Sequence, residues 1–457
     1  VRHLYLTSSL FLPNLPDRFR WVDCQLKYLA GCHPVHLQRA LNELPATLDE
    51  TYERSLREIE EGNWEDARRL LQSVTVASRP LRVEELADIL AFDFDAEPIP
   101  KFREECRLQD PVDAVLSTCP TLLSLVTVES SQVVQFAHFS VKEYLTSSRF
   151  AEKHDTISDH YHISITPAHT VIAQACLGIL LHLDESVTEE SLTQFPLAEY
   201  AAEHWFKHAR FEDVSKTAED GMKQLFDPRT PHLSVWLWIY DPIISYWRRQ
   251  ERTERPSPPK ATPLHYAAFC GLQDVVKYLV IEHTQDVNSR SLRIEVMPLH
   301  LASLGGHVAV AHLLVELGAD AGAQDNEGST PLHWASQRGH VDLASFLVDH
   351  AANVLAQDNR GSTPLHEASI YDHVDLARFL LEHGADVAAQ NNDGSTPLHE
   401  ASQRNRVDLA RFLVEHGAKV TAQDNRGWTS LHSASRLGYM DLARFLVEHG
   451  ADVTVQN

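Results

Sequence analysis

Histidine, the most versatile of the reactive side chains, occurs 27 times in this 457-residue chain. An imidazole can bind metal, move protons or simply make hydrogen bonds, and its spacing separates these roles. His265, His300, His333, His366, His399 and His432 each close one short recurring motif, while His307, His340, His383, His416 and His449 each adjoin a glycine. Such regularity reads as rings that brace turns through hydrogen bonds. A denser polar group, His154, Asp155, Asp159, His160 and His162, falls in an expected loop and lacks a metal-ligand spacing. His366-Glu367 and His399-Glu400 lack the second histidine four residues on that a zinc protease helix needs. Neither G-x-S-x-G nor G-x-x-x-x-G-K-[ST] occurs, so no catalytic residue, cofactor or metal is expected. What remains is surface. The residues just after the motif histidines are Tyr266, Leu301, Trp334, Glu367, Glu400 and Ser433, extended one turn on by Gln337, Arg338, Ile370, Tyr371, Gln403, Arg404 and Arg436. Aromatic side chains flanked by charge suit a protein interface, and Tyr266, Trp334, Arg338, Glu367, Tyr371, Glu400, Arg404 and Arg436 form the predicted contact set.

The elements that must carry these residues follow from the motif itself. It reads Thr262-Pro263-Leu264-His265, Met297-Pro298-Leu299-His300, then from Thr330, Thr363 and Thr396, and last Thr429-Ser430-Leu431-His432, at intervals of 35, 33, 33, 33 and 33 residues. Within one unit, Asp358-Asn359-Arg360-Gly361 signals a turn, because Asn and Gly accept a positive φ. Thr363 stands where an N-cap belongs and Pro364 at the first helical position, where its missing N–H costs nothing. After Asp372-His373, the apolar positions Val374, Leu376, Ala377, Phe379, Leu380 and Leu381 mark a second helix, ended by Gly384 as a left-handed cap. A motif of this kind at this period resembles the ankyrin repeat, whose units bury their apolar faces only by stacking. The resemblance implies six repeats over 261–457 and a partner-binding concave face of turn tips and first helices. Ala351 replaces the usual cap glycine, so a left-handed alanine is expected there. The last repeat carries no polar capping helix, and further repeats or a partner are expected to continue the stack.

Charge and composition exclude several classes. Asp and Glu total 64 against 40 Lys and Arg, a net charge of −24, and the excess is spread along the chain. No basic stripe is available for phosphate, which argues against nucleic acid and anionic membrane partners. No small-molecule substrate is expected either. Cys24, Cys32, Cys106, Cys119, Cys176 and Cys270 are scattered without a C-x-x-C pair, as suits reduced thiols in the cytoplasm or nucleus. The longest apolar run, 171–183, is interrupted by Gln174 and His182 and is read as too short for a membrane span. The chain begins with Val and its first residues do not form a clear signal peptide, so it is read as a fragment of something longer.

Ahead of the repeats, residues 1–60 read as a helical arm, with Trp21, Leu26 and Leu29 on one helix and Leu48, Tyr52, Leu56 and Ile59 on the next. Helices over 64–77, 83–90 and 110–119 precede two strands, 122–128 and 133–136, joined by a turn at Glu129-Ser130-Ser131-Gln132. Three helices and a hairpin are the order of a winged helix, placed at 61–150. Asp110 and Asp113, with no Lys or Arg, mark the helix in the recognition position, so DNA binding is not expected. Helices over 170–183, 197–209 and 235–247 form a connector at 151–250, with Trp205, Trp236, Trp238 and Trp247 as core candidates. A Pro-rich linker follows at 251–260. The fold class is thus mainly α: a winged-helix domain and a helical connector, then an ankyrin solenoid.

Several segments carry a wider resemblance: Phe19-Arg20-Trp21-Val22-Asp23-Cys24-Gln25-Leu26, Leu44-Pro45-Ala46-Thr47-Leu48, Arg79-Pro80-Leu81, and Ala137-His138-Phe139-Ser140-Val141-Lys142-Glu143-Tyr144-Leu145. Over roughly 18–150 the chain resembles the region after the nucleotide-binding core of fungal NACHT proteins with ankyrin repeats. Its winged helix is similar to the one named after GPI inositol-deacylase-like proteins. The resemblance implies a signalling protein of the NOD-like receptor type, with the repeats as its sensor or scaffold arm. The missing P-loop leaves this chain without NTPase chemistry; the alternative is the C-terminal half of an ATP- or GTP-dependent switch whose P-loop lies upstream.

Overall fold

The computed structural model describes residues 45, 47–119, 121–211, 213–247, 259–291 and 294–454. The helix expected around Trp21, Leu26 and Leu29, the thiols Cys24 and Cys32, and most of the Pro-rich linker lie outside the described residues. The fold is mainly helical, with a winged-helix domain and ankyrin repeats that form a helical solenoid. Two compact units part between Asp241 and Pro242.

In the first unit, α1 (Leu48–Arg57) starts at a reciprocal cap: Glu50 N–H donates to Thr47 Oγ1 and Thr47 N–H to Glu50 Oε2. Then come α2 (Trp64–Val76), β1 (Leu81–Arg82) and α3 (Val83–Ile89), followed by a small ribbon of β2 (Phe92–Asp93) with β3 (Lys101–Phe102). Next, α4 (Pro111–Thr118) is capped by Asp110, which accepts from Val112 and Asp113 N–H. The wing is β4 (Leu123–Val128) and β5 (Ser131–Phe136), in a sheet of order β1-β5-β4 with Leu125 opposite Val134. The turn is shorter than the four polar residues suggest. Glu129 and Ser130 take φ 48° and 81°, the pair of left-handed residues that closes a hairpin in two. The strands β1, β2 and β3 are too short to show periodicity in sequence.

Behind the wing, α5 (Phe139–Leu145) leads through two short helices to α6 (Ile165–His182). By length and composition α6 could cross a membrane, which corrects the reading that no segment reaches that length. Half of it is buried, and it packs on α2 and on the connector helices α7 (Leu197–Ala209) and α8 (Val214–Phe226), as a core helix does. Its Gly178 admits the β2–β3 ribbon: a Cβ there would sit 2.6 Å from the Phe92 ring and 2.7 Å from the Pro100 carbonyl. The single helix expected over 235–247 is two, α9 (His232–Ile239) and α10 (Pro242–Trp247). Pro242 forces the break, since a residue before proline is driven out of helical conformation. Trp205 and Trp236 are buried at 5.3 Å edge to face, and the Trp236 indole donates to the Ala202 carbonyl at 2.9 Å; Trp238 is buried as well.

Among the described residues, the second unit holds α10 and six helix pairs. The first helices are Pro263–Cys270, Pro298–Gly305, Pro331–Arg338, Pro364–Tyr371, Pro397–Gln403 and Ser430–Arg436; the second are Gln273–Ile281, Val308–Glu316, Val341–Asp349, Val374–Glu382, Val407–Glu415 and Met440–Glu448. Each first helix packs on the next, and so does each second helix. Leu332, Ala335, Leu343, Ala344 and Leu347 have no exposed surface, and the same holds for Leu365, Ala368, Leu376, Ala377 and Leu380 in the next repeat.

Candidate protein interface

The turn tips are held by a ladder. Asp358 Oδ1 accepts from the N–H groups of Arg360 (2.9 Å) and Ser362 (2.7 Å), and Gly361 turns the chain at φ 74°. Asn359 keeps an ordinary φ, contrary to its expected left-handed role, because its side chain has other work. Its Nδ2 donates to the Asn326 carbonyl at 2.9 Å, Asn392 donates in turn to Asn359 at 2.9 Å, and Asn425 to Asn392 at 2.8 Å. The helices behind the tips are capped by histidine more than by threonine. In the fourth repeat Thr363 N–H donates to His366 Nδ1 (3.1 Å), the Thr363 hydroxyl pairs with the same nitrogen (2.9 Å), and His366 Nε2 donates to the Ser395 carbonyl of the next repeat (3.0 Å). His333 and His399 repeat the pattern, and His300 repeats it without the hydroxyl, since Met297 stands in the threonine's place. Burial lowers the pKa of these rings, to about 4 for His265 and His300, so they work neutral, as structural braces.

The other polar clusters resolve the same way. Asp155 caps the helix Thr156–Tyr161, accepting from Ser158 N–H at 2.7 Å and pairing with Arg57 at 3.1 Å. That segment is therefore a helix where a loop was expected. His160 lies on the Trp64 ring. Among the described residues no three His, Cys, Asp or Glu side chains converge on a metal-sized site.

Along the array a cleft of about 1090 Å³ opens, lined by Trp334, Gln337, Glu367, Ile370, Tyr371 and Arg404 from the first helices and by Asp325, Glu327, Asp358 and Arg360 from the tips. Of the predicted contact set, Trp334, Glu367, Tyr371 and Arg404 meet there. Tyr266 is buried, as are Leu301 and Ser433 at the same repeat position, and cannot meet a partner. Arg338 and Arg436 are exposed outside the cleft, Arg436 lying over the Trp428 ring at 4.8 Å. Glu400 stands beside the cleft and takes up Arg404 at 2.6 Å. Trp334 is not the exposed aromatic it was expected to be: it is 7% exposed, and its indole N–H donates to Asp325 Oδ2 at 3.1 Å. Tyr371 is the open one, 42% exposed, accepting from Gln337 Nε2 at 3.0 Å. Sequence reasoning missed the tip acids Asp325, Glu327 and Asp358, whose signal was their position nine or seven residues before the contact positions.

The pairing of tip with first helix varies down the cleft. Asp325 faces the Trp334 indole donor, and Asn391 donates to Glu400 at 3.5 Å. Between them Asp358 and Glu367 occupy the equivalent places, acceptor against acceptor. Glu367 accepts no hydrogen bond from any described residue, and burial first, then the charges of Asp358 and Glu400, push its pKa up to about 7 against the pull of Arg360 and Arg404.

Comparison with known proteins agrees with this anatomy. Residues 299–391 and 384–457 match the family described as ankyrin repeats in three copies, and 260–292 match a single ankyrin repeat. Residues 56–156 match the winged helix domain of GPI inositol-deacylase. The chain therefore carries ankyrin repeats behind a winged helix of that type. It is 33% identical over 295 residues to the azaphilone pigments biosynthesis cluster protein L of Monascus ruber, covering 61% of each chain. It is 42% identical over 65 residues to alpha-latrocrustotoxin-Lt1a of Latrodectus tredecimguttatus, covering 14% of this chain and 4% of the toxin. The chain thus spans less than two thirds of the length of the curated relatives it matches.

Proposed function

We propose that this chain is a non-enzymatic protein-interaction module, the ankyrin sensor or scaffold arm of a NACHT-type signalling protein in the cytoplasm, with the nucleus as a second location. Ankyrin repeats support the interaction role in general. The observation that carries the particular reading is the cleft along the first helices, where exposed Tyr371 and half-buried Ile370 stand among unequal charges; such an aromatic and aliphatic patch with a charged border suits a protein ligand. Nucleic acid fits poorly, since α4 in the winged helix carries no Lys or Arg. The test is proximity labelling in the native host with the full chain and with its Ile370→Asp/Tyr371→Ala variant, after circular dichroism shows equal folding. Loss of a defined set of labelled proteins in the variant is expected; identical labelling would sink the reading.

A second reading treats the chain as the C-terminal half of a nucleotide-dependent switch. The winged helix over 56–156, of a type associated with NACHT proteins, favours it. Sequencing the 5′ end of the native transcript decides: a G-x-x-x-x-G-K-[ST] upstream in frame supports the switch, and an initiator codon at this chain's own start removes it.

A further inference from the structure

We propose that the middle of the cleft receives a cationic side chain, a lysine or arginine presented by an extended segment of a partner protein, between Asp358 and Glu367 and beside Tyr371. The inference rests on the interaction reading and names the chemistry of its partner.

The observation is a mismatch in an otherwise regular array. At the same two repeat positions, the third repeat sets the Trp334 indole N–H against Asp325, and the fifth sets the Asn391 amide against Glu400. Each pair is a donor with an acceptor. The fourth repeat sets Glu367 against Asp358, two groups that can only accept when ionised. Asp358 spends Oδ1 on its own turn, on Arg360 and Ser362 N–H. Its Oδ2, the counterpart of the atom that Trp334 donates to in Asp325, receives no hydrogen bond from any described residue, and neither does Glu367. A half-buried acceptor pair without a donor is unfavourable unless something supplies one.

The surroundings select what that something is. Arg404, the nearest basic side chain on the next repeat, is already bound by Glu400 at 2.6 Å. Asp325, Glu327, Asp358 and Glu367 then face Lys260 and Arg360 along the cleft, an acidic excess in a protein of net charge −24. Tyr371 and Ile370 border the pair and suit the aliphatic stem of a lysine or arginine, whose charged head would reach the carboxylates. A peptide is favoured over a lone inorganic cation because the described residues hold no cluster of three ligating groups, while the cleft, at about 1090 Å³, has room for several side chains.

The experiment pans a random dodecapeptide phage library against the immobilised full chain. Recovered peptides are then synthesised with a fluorescein label and titrated by anisotropy against the wild type, Glu367→Gln, Asp358→Asn and Ile370→Asp. The recovered peptides are expected to share a Lys or Arg whose replacement by norleucine weakens binding at least tenfold. Glu367→Gln is expected to weaken it tenfold or more while raising the unfolding midpoint of the free chain, because the new amide donates to Asp358. Asp358→Asn copies the Asn391–Glu400 pair and should do the same, so that one poorly folded variant does not decide the matter. Opposite signs for affinity and stability separate a binding role from a structural one. Peptides lost in Ile370→Asp but indifferent to Glu367→Gln and to their own basic residue would overturn the inference and leave the interaction reading standing. Absence of any enriched peptide would overturn the inference, and, joined to unchanged proximity labelling, the interaction reading too.

Discussion

Ala351 holds a left-handed cap at φ 68°, where the neighbouring repeats place Gly318, Gly384, Gly417 and Gly450. Space is not the issue, since a Cβ built on any of those four glycines meets nothing within 4 Å. The strain is conformational alone, and Ala351→Gly is expected to stabilise the array by about 1 kcal/mol, read as a higher urea midpoint; a lower one would contradict it. That alanine was legible in the sequence because the repeats supply their own comparison, residue against residue. Trp334 was not. Its register predicted an exposed ring, and only the fold shows that Asp325, nine residues earlier, lies close enough to accept from the indole and draw the ring down.

At the scale of the element, first-helix caps and the histidines of the following repeat depend on one another. A Cβ on Gly271, Gly306 or Gly339 would lie 2.5 to 2.8 Å from the ring of His307, His340 or His373. Those rings lie over the glycines and donate to Phe269, Leu304 and Gln337 carbonyls at 2.9, 3.2 and 3.1 Å. Where the cap becomes Asp372, at φ 71°, the following residue becomes Arg406, whose Nε reaches the Ile370 carbonyl at 3.2 Å. The carbonyl is still satisfied, by a chain that can bend around a Cβ. Gly339→Ala is therefore expected to cost about 2–3 kcal/mol, from overpacking together with left-handed strain. Adding His373→Arg should recover part of that loss, and thermal unfolding of the single and double variants would show no coupling if the pairing is accidental. Helix positions and lengths were readable from Pro, Gly and apolar spacing. The break at Asp241 needed more weight on Pro242, and the short strands β1 to β3 exist only because partners lie opposite them.

Across the whole array, five buried imidazoles, His265, His300, His333, His366 and His399, join each repeat to the next while neutral. Burial sets their folded pKa values below 6.5, to about 4 in the first two. Between those values the unfolded chain binds more protons, so stability is full above pH 6.5 and falls as the pH drops towards 4, by up to roughly 1.4 kcal/mol per pH unit for each ring. Glu367 acts in the opposite sense: its raised pKa, about 7, means that its ionised form weakens the array as the pH rises from 4.5 through 7. Asp325, also raised by burial, acts in the same sense as Glu367, and His340, lowered by burial, in the same sense as the rings; two carboxylates against six imidazoles leave the acid loss dominant. The urea midpoint of the array's transition at pH 7.5 should exceed that at pH 5.0, and equal midpoints would refute the neutral histidine ladder.

The sequence by itself determined the repeat, its period, the helix pairs, the winged-helix order and the acidic balance, because these depend on local conformational preference and on side-chain alternation that one strand of text records. Position after the motif histidine was a poor guide to exposure, since Tyr266, Leu301, Trp334 and Ser433 are all buried. Which of the predicted side chains line the cleft was decided only by tertiary structure. Burial of Tyr266, the indole bond of Trp334 and the meeting of Asp358 with Glu367, acceptor against acceptor, arise from neighbours brought together by folding. Hydrogen-bond satisfaction is a property of three-dimensional surroundings, and spacing along the chain does not encode whether an acceptor finds its donor.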